Sequence, residues 1–216
     1  MSVPKSSDET KLKRIVRYLK TAPRLAAGYP WRKLGDSLIV FVDANWAGCI
    51  HTRKSTVGGS IQWQGQFVKA WSKTMDIIAL SSGESELSAV VRGTTEALGI
   101  KAALKDFGRE VTIDVRSDAT AAIGMVKRLG LGRVRHLSVA DLWIQQRVRQ
   151  GGISLRKWPG PQNPADMMTK YLGRADTTRF IDYLSFRVLP GRPSVSPLRQ
   201  GNWKCSNVVP TPDTAM

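Results

Sequence analysis

Four carboxylates in this sequence stand where a predicted strand ends or a predicted helix begins. Asp43 lies within an apolar, strand-like run, and Asp118 follows a second apolar segment. Glu86 falls in the first turns of an amphipathic helix pattern, and Asp166 follows an Asn-Pro-Ala sequence at another helix start. Carboxylate oxygens are the ligands that hard divalent cations such as magnesium prefer. The residue types therefore favour metal-assisted chemistry.

The rest of the chain is strongly basic. Its 216 residues include 33 Lys+Arg and 17 Asp+Glu, which gives a formal net charge of +16 and a sequence pI near 10.4. An excess of this size is typical of proteins that bind a phosphate backbone, and a generic basic soluble protein is the alternative. Acidic residues for metal within a basic surface favour an enzyme that cuts nucleic acid.

Cysteine, histidine and hydropathy argue against several other classes of protein. Cys49 and Cys205 are too few for a disulfide framework, and His51 and His136 are too few to favour a zinc site. The sequence contains no apolar run long enough to span a membrane and no signal-peptide pattern. We therefore expect an intracellular protein, cytoplasmic or nuclear and not secreted, with no membrane partner and no small-molecule cofactor.

Apolar periodicity predicts the elements that must position the carboxylates. A basic helix near the N-terminus is predicted to begin with a capping box of Ser6 and Glu9, and residues 22–36 are predicted to form a linker. The predicted strands are 37–46, 56–63, 66–72, 111–117 and 153–158. The predicted helices are Ser81 to about 106, 119–128, 136–149, one that begins at Pro164, and 175–186.

The order of these elements predicts the fold class. Three strands in hairpin order, followed by alternating helices and strands, indicate an α/β domain with a mixed sheet flanked by helices. Sites in open sheets form at the carboxyl ends of strands. Asp43 and Asp118 are each predicted to lie at such an end.

Two glutamates near the start of the long helix compete for the role of metal ligand. Glu84 lies three residues after Ser81, where it is the second partner of a capping box. Glu86 shares a helix face with small or apolar residues such as Val90 and Gly93, which suit packing on a sheet. This pattern favours Glu86 as the ligand, with Glu84 as the alternative.

Six short motifs occur in order over most of the chain. They are VDANWAG at 42–48, RKST at 53–56, ALSSGESE at 79–86, SD at 117–118, RH at 135–136 and NPADMMTK at 163–170. Together they resemble the ribonuclease H domain at the end of the Pol polyprotein of copia-type LTR retrotransposons, over about residues 37–172. Residues 9–20 resemble the segment that links the reverse transcriptase of that family to its ribonuclease H.

The resemblance implies a fold, an activity and a set of ligands. The implied fold is α/β and ribonuclease H-like, a five-stranded mixed sheet flanked by helices. The implied activity is endonucleolytic hydrolysis of the RNA strand of RNA–DNA hybrids during retrotransposon reverse transcription. Two magnesium ions, with manganese as a substitute, would be held by the catalytic carboxylates Asp43, Glu86, Asp118 and Asp166. Two ions can activate the attacking water and stabilise the leaving 3′ oxygen.

The resemblance also implies a domain organisation. Residues 1–36 would form the N-terminal helix and linker, residues 37–172 the ribonuclease H-like domain, and residues 173–216 a helical extension with a tail. We expect the tail to be disordered beyond about residue 190. The chain would then be a C-terminal fragment of a Pol polyprotein, with an RNA–DNA hybrid and a reverse transcriptase domain as partners.

Two basic clusters are predicted to contact the phosphates of the hybrid. The first cluster is Arg53, Lys54 and Ser55, and the second is Lys127, Arg128, Arg133, Arg135 and His136. Such contacts position a duplex without reading its sequence. The alternative for each cluster is a solvated charged surface, and the alternative for His136 is a capping or packing role.

Two features depart from the pattern of the copia-type family, and a third, shared with that family, departs from cellular ribonucleases H. Ala119-Thr120 replaces a polar pair that contacts the minor groove of the hybrid, and Cys49 replaces an acidic residue. The loop 159–162 lacks the histidine of cellular ribonucleases H. The altered pair predicts weakened activity. A catalytically weak or inactive nucleic-acid-binding remnant of a retrotransposon polyprotein is therefore the alternative function.

Overall fold

The structure is a computed structural model that describes residues 5–22, 24–31, 35–130 and 139–189. In chain order the elements are α1 (Ser6–Thr21), β1 (Leu25–Ala27), β2 (Ser37–Asn45), β3 (Thr56–Trp63), β4 (Gln66–Thr74), α2 (Ser82–Asp106), β5 (Thr112–Ser117), α3 (Thr120–Lys127), α4 (Val139–Arg149), β6 (Ile153–Lys157), α5 (Asp166–Thr169), α6 (Arg174–Tyr183) and β7 (Phe186–Val188). The chain divides into two compact units, Arg32–Leu184 and the combination of Met1–Trp31 with Ser185–Met216.

The larger unit is built on a five-stranded sheet with the order β4-β3-β2-β5-β6. β2, β3 and β4 pair antiparallel, whereas β5 pairs parallel with both β2 and β6. The architecture predicted from the sequence, an α/β domain with a five-stranded mixed sheet flanked by helices, is confirmed. β2 is the central strand, so it is held by neighbours on both sides.

The core lies between the sheet and the helices. Leu38, Val40 and Val42 alternate along β2 and are fully buried. Gly93 allows α2 to approach this row closely, since a Cβ at that position would lie only 3.2 Å from Val40 Cγ1. The close approach fixes α2, and thus its N-terminal turns, against the strand that carries Asp43.

The smaller unit contains a strand pair that the sequence did not reveal. β1 lies within the predicted linker 22–36, but it pairs antiparallel with β7 in a two-stranded sheet. The cap of α1 also differs from the predicted one. The backbone N–H of Lys5 donates to Asp8 Oδ2 at 3.1 Å, so the N-cap is Lys5, one residue before the predicted N-cap Ser6, and the helix begins at Ser6.

Helix α5 begins two residues later than predicted. Pro164 lies in a turn, where the Asp166 amide donates to the Asn163 carbonyl at 3.2 Å, and Asp166 is the first helical residue. The predicted helix start at 136–138 and the predicted disordered tail beyond 190 lie outside the described residues. Within the described ranges, no helix combines the length and apolar character needed to cross a membrane.

Candidate metal centre

The central strand β2 carries Asp43 into a buried position. This residue is 1% exposed, and its carboxylate accepts hydrogen bonds from two residues at the end of α5. Thr169 Oγ1 donates to Oδ2, and Lys170 Nζ lies 3.0 Å from Oδ1. A carboxylate buried this deeply requires such compensation, because its transfer from water is costly.

Two further carboxylates lie beside Asp43. Asp118 directly follows β5, which runs parallel to β2, and Glu86 lies on the first turns of α2. Asp43, Glu86 and Asp118 each offer an oxygen that lies within 4.8 Å of the others. Gly160 makes room for this arrangement, since a Cβ at that position would be 2.8 Å from Asp118 Oδ2. Parallel pairing of β2 and β5 therefore brings two strand ends and one helix start to the same place.

Glu86 is the most perturbed carboxylate of the group. Burial, followed by the charges of Asp43 and Asp118, raises its pKa to about 8, although a hydrogen bond from the Ala44 backbone and the charge of Lys170 oppose the rise. Its Oε2 atom is buried and has no hydrogen-bond partner among the described residues. An oxygen in this environment favours either a proton or a bound cation.

Asp166 lies next to this group rather than inside it. Its Oδ1 atom is 2.9 Å from Lys170 Nζ, the same ammonium that contacts Asp43. Burial raises the pKa of Asp166, and the hydrogen bond from Lys170 partly offsets that rise. The structure thus brings Asp43, Glu86 and Asp118 into one group, to which Asp166 is connected through Lys170.

Lys170 and Thr169 are functional candidates that sequence reasoning missed. Burial alone would lower the pKa of Lys170, but the hydrogen bonds and charges of Asp166 and Asp43 outweigh it and raise the pKa. The only sequence signal was the spacing of four residues between Asp166 and Lys170, which places both on one face of a helix. Contact with Asp43 depends on the tertiary structure, which this spacing does not specify.

Asn163 fixes the segment that carries Asp166 and Lys170. Its side chain is fully buried, where Nδ2 donates to the Val42 carbonyl at 2.9 Å and Oδ1 accepts from the Ala165 amide at 3.2 Å. One side chain therefore ties the start of α5 to the residue that precedes Asp43. Asn163 is therefore a positioning residue both for Asp43 and for the α5 segment that carries Asp166 and Lys170.

We expect Asn163→Ala to lower the free energy of unfolding by about 2 kcal/mol, because the Val42 carbonyl would remain buried without its donor. Urea denaturation of the metal-free protein measures the change. Asn45→Ala is the matched control. Its half-buried side chain donates one bond, to the Thr169 carbonyl at 3.2 Å, and its loss should cost less than about 1 kcal/mol. Equal losses for the two variants would contradict the positioning role of Asn163.

The known proteins with sequence similarity to this chain include two retrotransposon Pol polyproteins and one effector protein. The chain is 31% identical over 136 residues to the retrovirus-related Pol polyprotein from transposon TNT 1-94 of Nicotiana tabacum, a match that covers 62% of the chain and 10% of the polyprotein. It is 26% identical over 196 residues to the Pol polyprotein from transposon RE1 of Arabidopsis thaliana, covering 88% of the chain and 13% of that protein. The chain is a relative of retrotransposon Pol polyproteins. The predicted relationship to such a polyprotein is confirmed.

A further protein with sequence similarity to the chain is not named as a Pol polyprotein. A protein named secreted RxLR effector protein 161, from Plasmopara viticola, is 36% identical over 88 residues, which cover 40% of this chain and 61% of the effector. The chain thus spans about a tenth of the two polyproteins and less than two thirds of the effector. No protein-family model matches the sequence.

Solved structures of ribonucleases H are also similar to the chain. The N-terminal RNase H domain of a Mycobacterium tuberculosis protein is 13% identical with a TM-score of 0.46, and the match covers 69% of this chain and 96% of that domain. LC11-RNase H1 in complex with an RNA/DNA hybrid is 14% identical with a TM-score of 0.45, covering 61% of this chain and 93% of that one.

The two competing glutamates have different surroundings in this relative of the Pol polyproteins. Glu84 caps α2, since its amide donates to Ser81 Oγ at 3.2 Å and its Oε2 accepts from the Leu80 amide at 2.7 Å. A standard capping box would instead bond the amide of Ser81 itself. Glu86, two residues further along the helix, lies among the carboxylates. The structure therefore gives Glu84 a local structural contact and Glu86 a position in the acidic group.

The first predicted basic cluster is divided between surface and core. Arg53 is exposed and Lys54 is half-buried, so both ammonium and guanidinium groups can reach solvent. Ser55 is fully buried, and its Oγ accepts from the Ala47 amide at 3.0 Å. The prediction that Ser55 contacts nucleic acid is therefore corrected, because its side chain stabilises the loop from inside.

The second predicted basic cluster is only partly described. Lys127 is exposed at the end of α3, and Arg128 is half-buried directly after it. The other three members, Arg133, Arg135 and His136, lie outside the described residues.

The donor set fits a divalent metal ion. Three carboxylates lie within mutual reach, and one of their oxygens is buried with no hydrogen-bond partner in the described part of the chain. Burial, followed by the charges of Asp43 and Asp118, raises the pKa of Glu86. Hard cations such as magnesium and calcium accept a ligand set made only of oxygens. The acidic group can therefore hold a divalent cation, which would relieve the repulsion that the carboxylates impose on each other.

Proposed function

We propose that this chain is a metal-dependent endonuclease of the ribonuclease H type, which hydrolyses the RNA strand of RNA–DNA hybrids during reverse transcription of a copia-type retrotransposon. The observation that carries the proposal is the convergence of Asp43, Glu86 and Asp118 around a buried oxygen that has no partner among the described residues. The retrotransposon Pol polyprotein relatives support the biological setting.

Asp43, Glu86, Asp118 and Asp166 would hold two magnesium ions, with manganese as a substitute. When bound, the ions supply the Lewis acidity that activates a water and stabilises the leaving 3′ oxygen. The contribution of the protein is to hold the carboxylates in place. Thr169 and Lys170 fix the orientation of the Asp43 carboxylate from α5, and packing of α2 on the sheet fixes Glu86.

The proposed substrate follows from charge and groove shape. The formal net charge of +16 favours a phosphate backbone, and the exposed Arg53 and Lys127 are proposed contacts for it. Lys54, Arg128, Arg133, Arg135 and His136 complete the proposed phosphate-contacting set. A hybrid with A-like form is distinguished by its shape and by its 2′-hydroxyls, so we expect little base specificity.

The proposed setting is the inside of the cell. Reverse transcription produces RNA–DNA hybrids in the cytoplasm or nucleus, so the protein is proposed to act there. A reverse transcriptase domain is the proposed protein partner, because residues 9–20 resemble the segment that precedes ribonuclease H in that family.

A nucleic-acid-binding remnant without activity is the second candidate function. The observation that favours it is the pair Ala119-Thr120 at the start of α3, beside Asp118. Ala119 has no polar side-chain atom, and its amide donates to Ser117 Oγ at 3.1 Å. The position therefore lacks the donor or acceptor that a minor-groove contact would require.

A cleavage assay with labelled RNA–DNA hybrid separates the two candidate functions. We expect the chain to cut the RNA strand in magnesium, to leave it intact in chelator, and to spare double-stranded DNA. Asp43→Asn should bind the hybrid with nearly unchanged affinity and cut at least about a thousandfold more slowly, because a carboxylate ligand is lost while size is kept. Hybrid binding by the wild-type chain without magnesium-dependent cleavage would contradict the enzyme and support the remnant.

A further inference from the structure

A lysine ammonium lies within the acidic site. Lys170 Nζ is 3.0 Å from Asp43 Oδ1 and 2.9 Å from Asp166 Oδ1. Among the described residues, every ion pair made by the four carboxylates involves Lys170. A single protein cation therefore compensates the part of the site that lies between Asp43 and Asp166.

The acidic site has two parts, the Asp43–Asp166 pair and the group of Asp43, Glu86 and Asp118. The carboxylate oxygens of these two parts differ in the hydrogen bonds that they accept. Both oxygens of Asp43 already accept bonds from α5, one from Thr169 and one from Lys170. Glu86 Oε2, in contrast, is buried with no partner among the described residues. A divalent ion that enters the group of Asp43, Glu86 and Asp118 would find an unsatisfied oxygen. An ion that enters between Asp43 and Asp166 would meet a positive charge.

Lys170 can also leave this position. Its side chain is 40% exposed, and a lysine ammonium is a point charge on a flexible stem with four rotatable carbons. Movement into solvent breaks the contacts of Lys170 with Asp43 and Asp166, its hydrogen-bond partners among the described residues, and a bound metal ion would replace the lost positive charge. The ammonium and a metal ion would compete for the same two Oδ1 atoms.

We propose that Lys170 is an internal cation that occupies the Asp43–Asp166 half of the site and orders the binding of metal ions. The group of Asp43, Glu86 and Asp118 takes the first divalent ion, and a second ion binds only when the ammonium of Lys170 has moved away. This inference rests on the proposed function, in which the carboxylates hold metal. Lys170 is then a positioning residue that sets the affinity of the second ion.

Titration of the full chain with Mn²⁺, without nucleic acid, tests the inference. Calorimetry and the paramagnetic signal of free Mn²⁺ give the number of bound ions and their affinities. We expect the wild-type chain to bind one ion and to bind a second at least about tenfold more weakly. Lys170→Met should strengthen binding of the second ion by about tenfold, which corresponds to about 1.4 kcal/mol, because a competing charge is removed.

Two further variants serve as controls. Lys73→Met removes a lysine that pairs with exposed Asp76 at 3.4 Å, and it should titrate like the wild-type chain. Lys170→Arg keeps the positive charge and should leave binding of the second ion weak. If Lys170→Arg strengthens that binding as much as Lys170→Met does, charge is not the determinant and the inference is wrong.

Thermal unfolding adds a readout that does not depend on stoichiometry. In chelator, Lys170→Met should melt at a lower temperature than the wild-type chain, because the carboxylates lose their cation. Addition of Mn²⁺ should raise its melting temperature by more than it raises that of the wild-type chain. Unchanged affinity for the second ion in Lys170→Met would overturn the role of Lys170 and leave the metal site intact. Absence of Mn²⁺ binding in every variant would instead overturn the proposed function, and this inference with it.

Discussion

Glu86→Gln is expected to reduce magnesium-dependent cleavage of an RNA–DNA hybrid by more than about a thousandfold. The amide keeps the size of the side chain but removes the charge that a metal ligand supplies, so hybrid affinity should change little. Glu86 is the carboxylate whose buried oxygen has no partner among the described residues. Initial rates in magnesium, with the melting temperature as a check on folding, measure the effect.

Glu84→Gln is the matched control for this variant. A glutamine oxygen can still accept from the Leu80 amide, so stability should change by less than about 1 kcal/mol and cleavage should persist. The two substitutions are identical in chemistry and lie two residues apart on one helix. An inactive Glu84→Gln together with an active Glu86→Gln would show that the roles are reversed.

Glu86→Gln is also expected to stabilise the metal-free protein at alkaline pH. The folded-state pKa of Glu86 is raised from 4.5 to about 8, so its contribution to stability is full below 4.5 and is lost as pH rises through about 8. The neutral amide does not incur this loss. In chelator at about pH 9 the free energy of unfolding of the variant should exceed that of the wild-type protein by up to about 4 kcal/mol. At about pH 5 this difference should nearly vanish.

Urea denaturation of both proteins across this pH range measures the difference. Glu96→Gln provides a control of opposite sign. The pKa of Glu96 is lowered, chiefly by its hydrogen bond from Lys69, so that its contribution to stability is lost on acidification. Glu96→Gln should therefore destabilise the protein at neutral and alkaline pH. A difference between the wild-type protein and Glu86→Gln that stays constant with pH would contradict burial of an ionisable Glu86.

The sequence predicted β2 and the start of α2 correctly, because both leave a pattern among residues that are near neighbours in the chain. The continuous apolar run 38–42 identified β2 and the position of Asp43 directly after it, because a central strand is buried on both faces. The spacing of Ser81 and Glu84 identified the start of α2, since capping is a contact between near neighbours. These two signals are enough to place Asp43 and Glu86 near the ends of their elements from the sequence alone.

The sequence was uninformative where structure depends on distant partners or on very short elements. β1 has three residues without alternation, and its partner β7 lies at the other end of the chain, so neither strand leaves a local pattern. Ser55 lies within a basic motif, yet its side chain is buried and its Oγ accepts a hydrogen bond from the Ala47 amide. Helix α5 has four residues, too few to show a helical period. The contact of Lys170 with Asp43 could not be predicted because the two residues are 127 positions apart in the sequence and meet only in the folded protein.

The four carboxylates of the acidic site lie on, or directly after, four separate elements, and the unfolded chain has no means of holding them together. In the proposed enzyme, metal-binding free energy is therefore folding free energy, since only the native state offers the ligands. At an ion concentration of a hundred times Kd this gain is about 2.7 kcal/mol. Chelation would consequently weaken the fold as well as the chemistry. A panel of divalent ions ranked by the melting temperatures they produce would identify the preferred ion without any substrate.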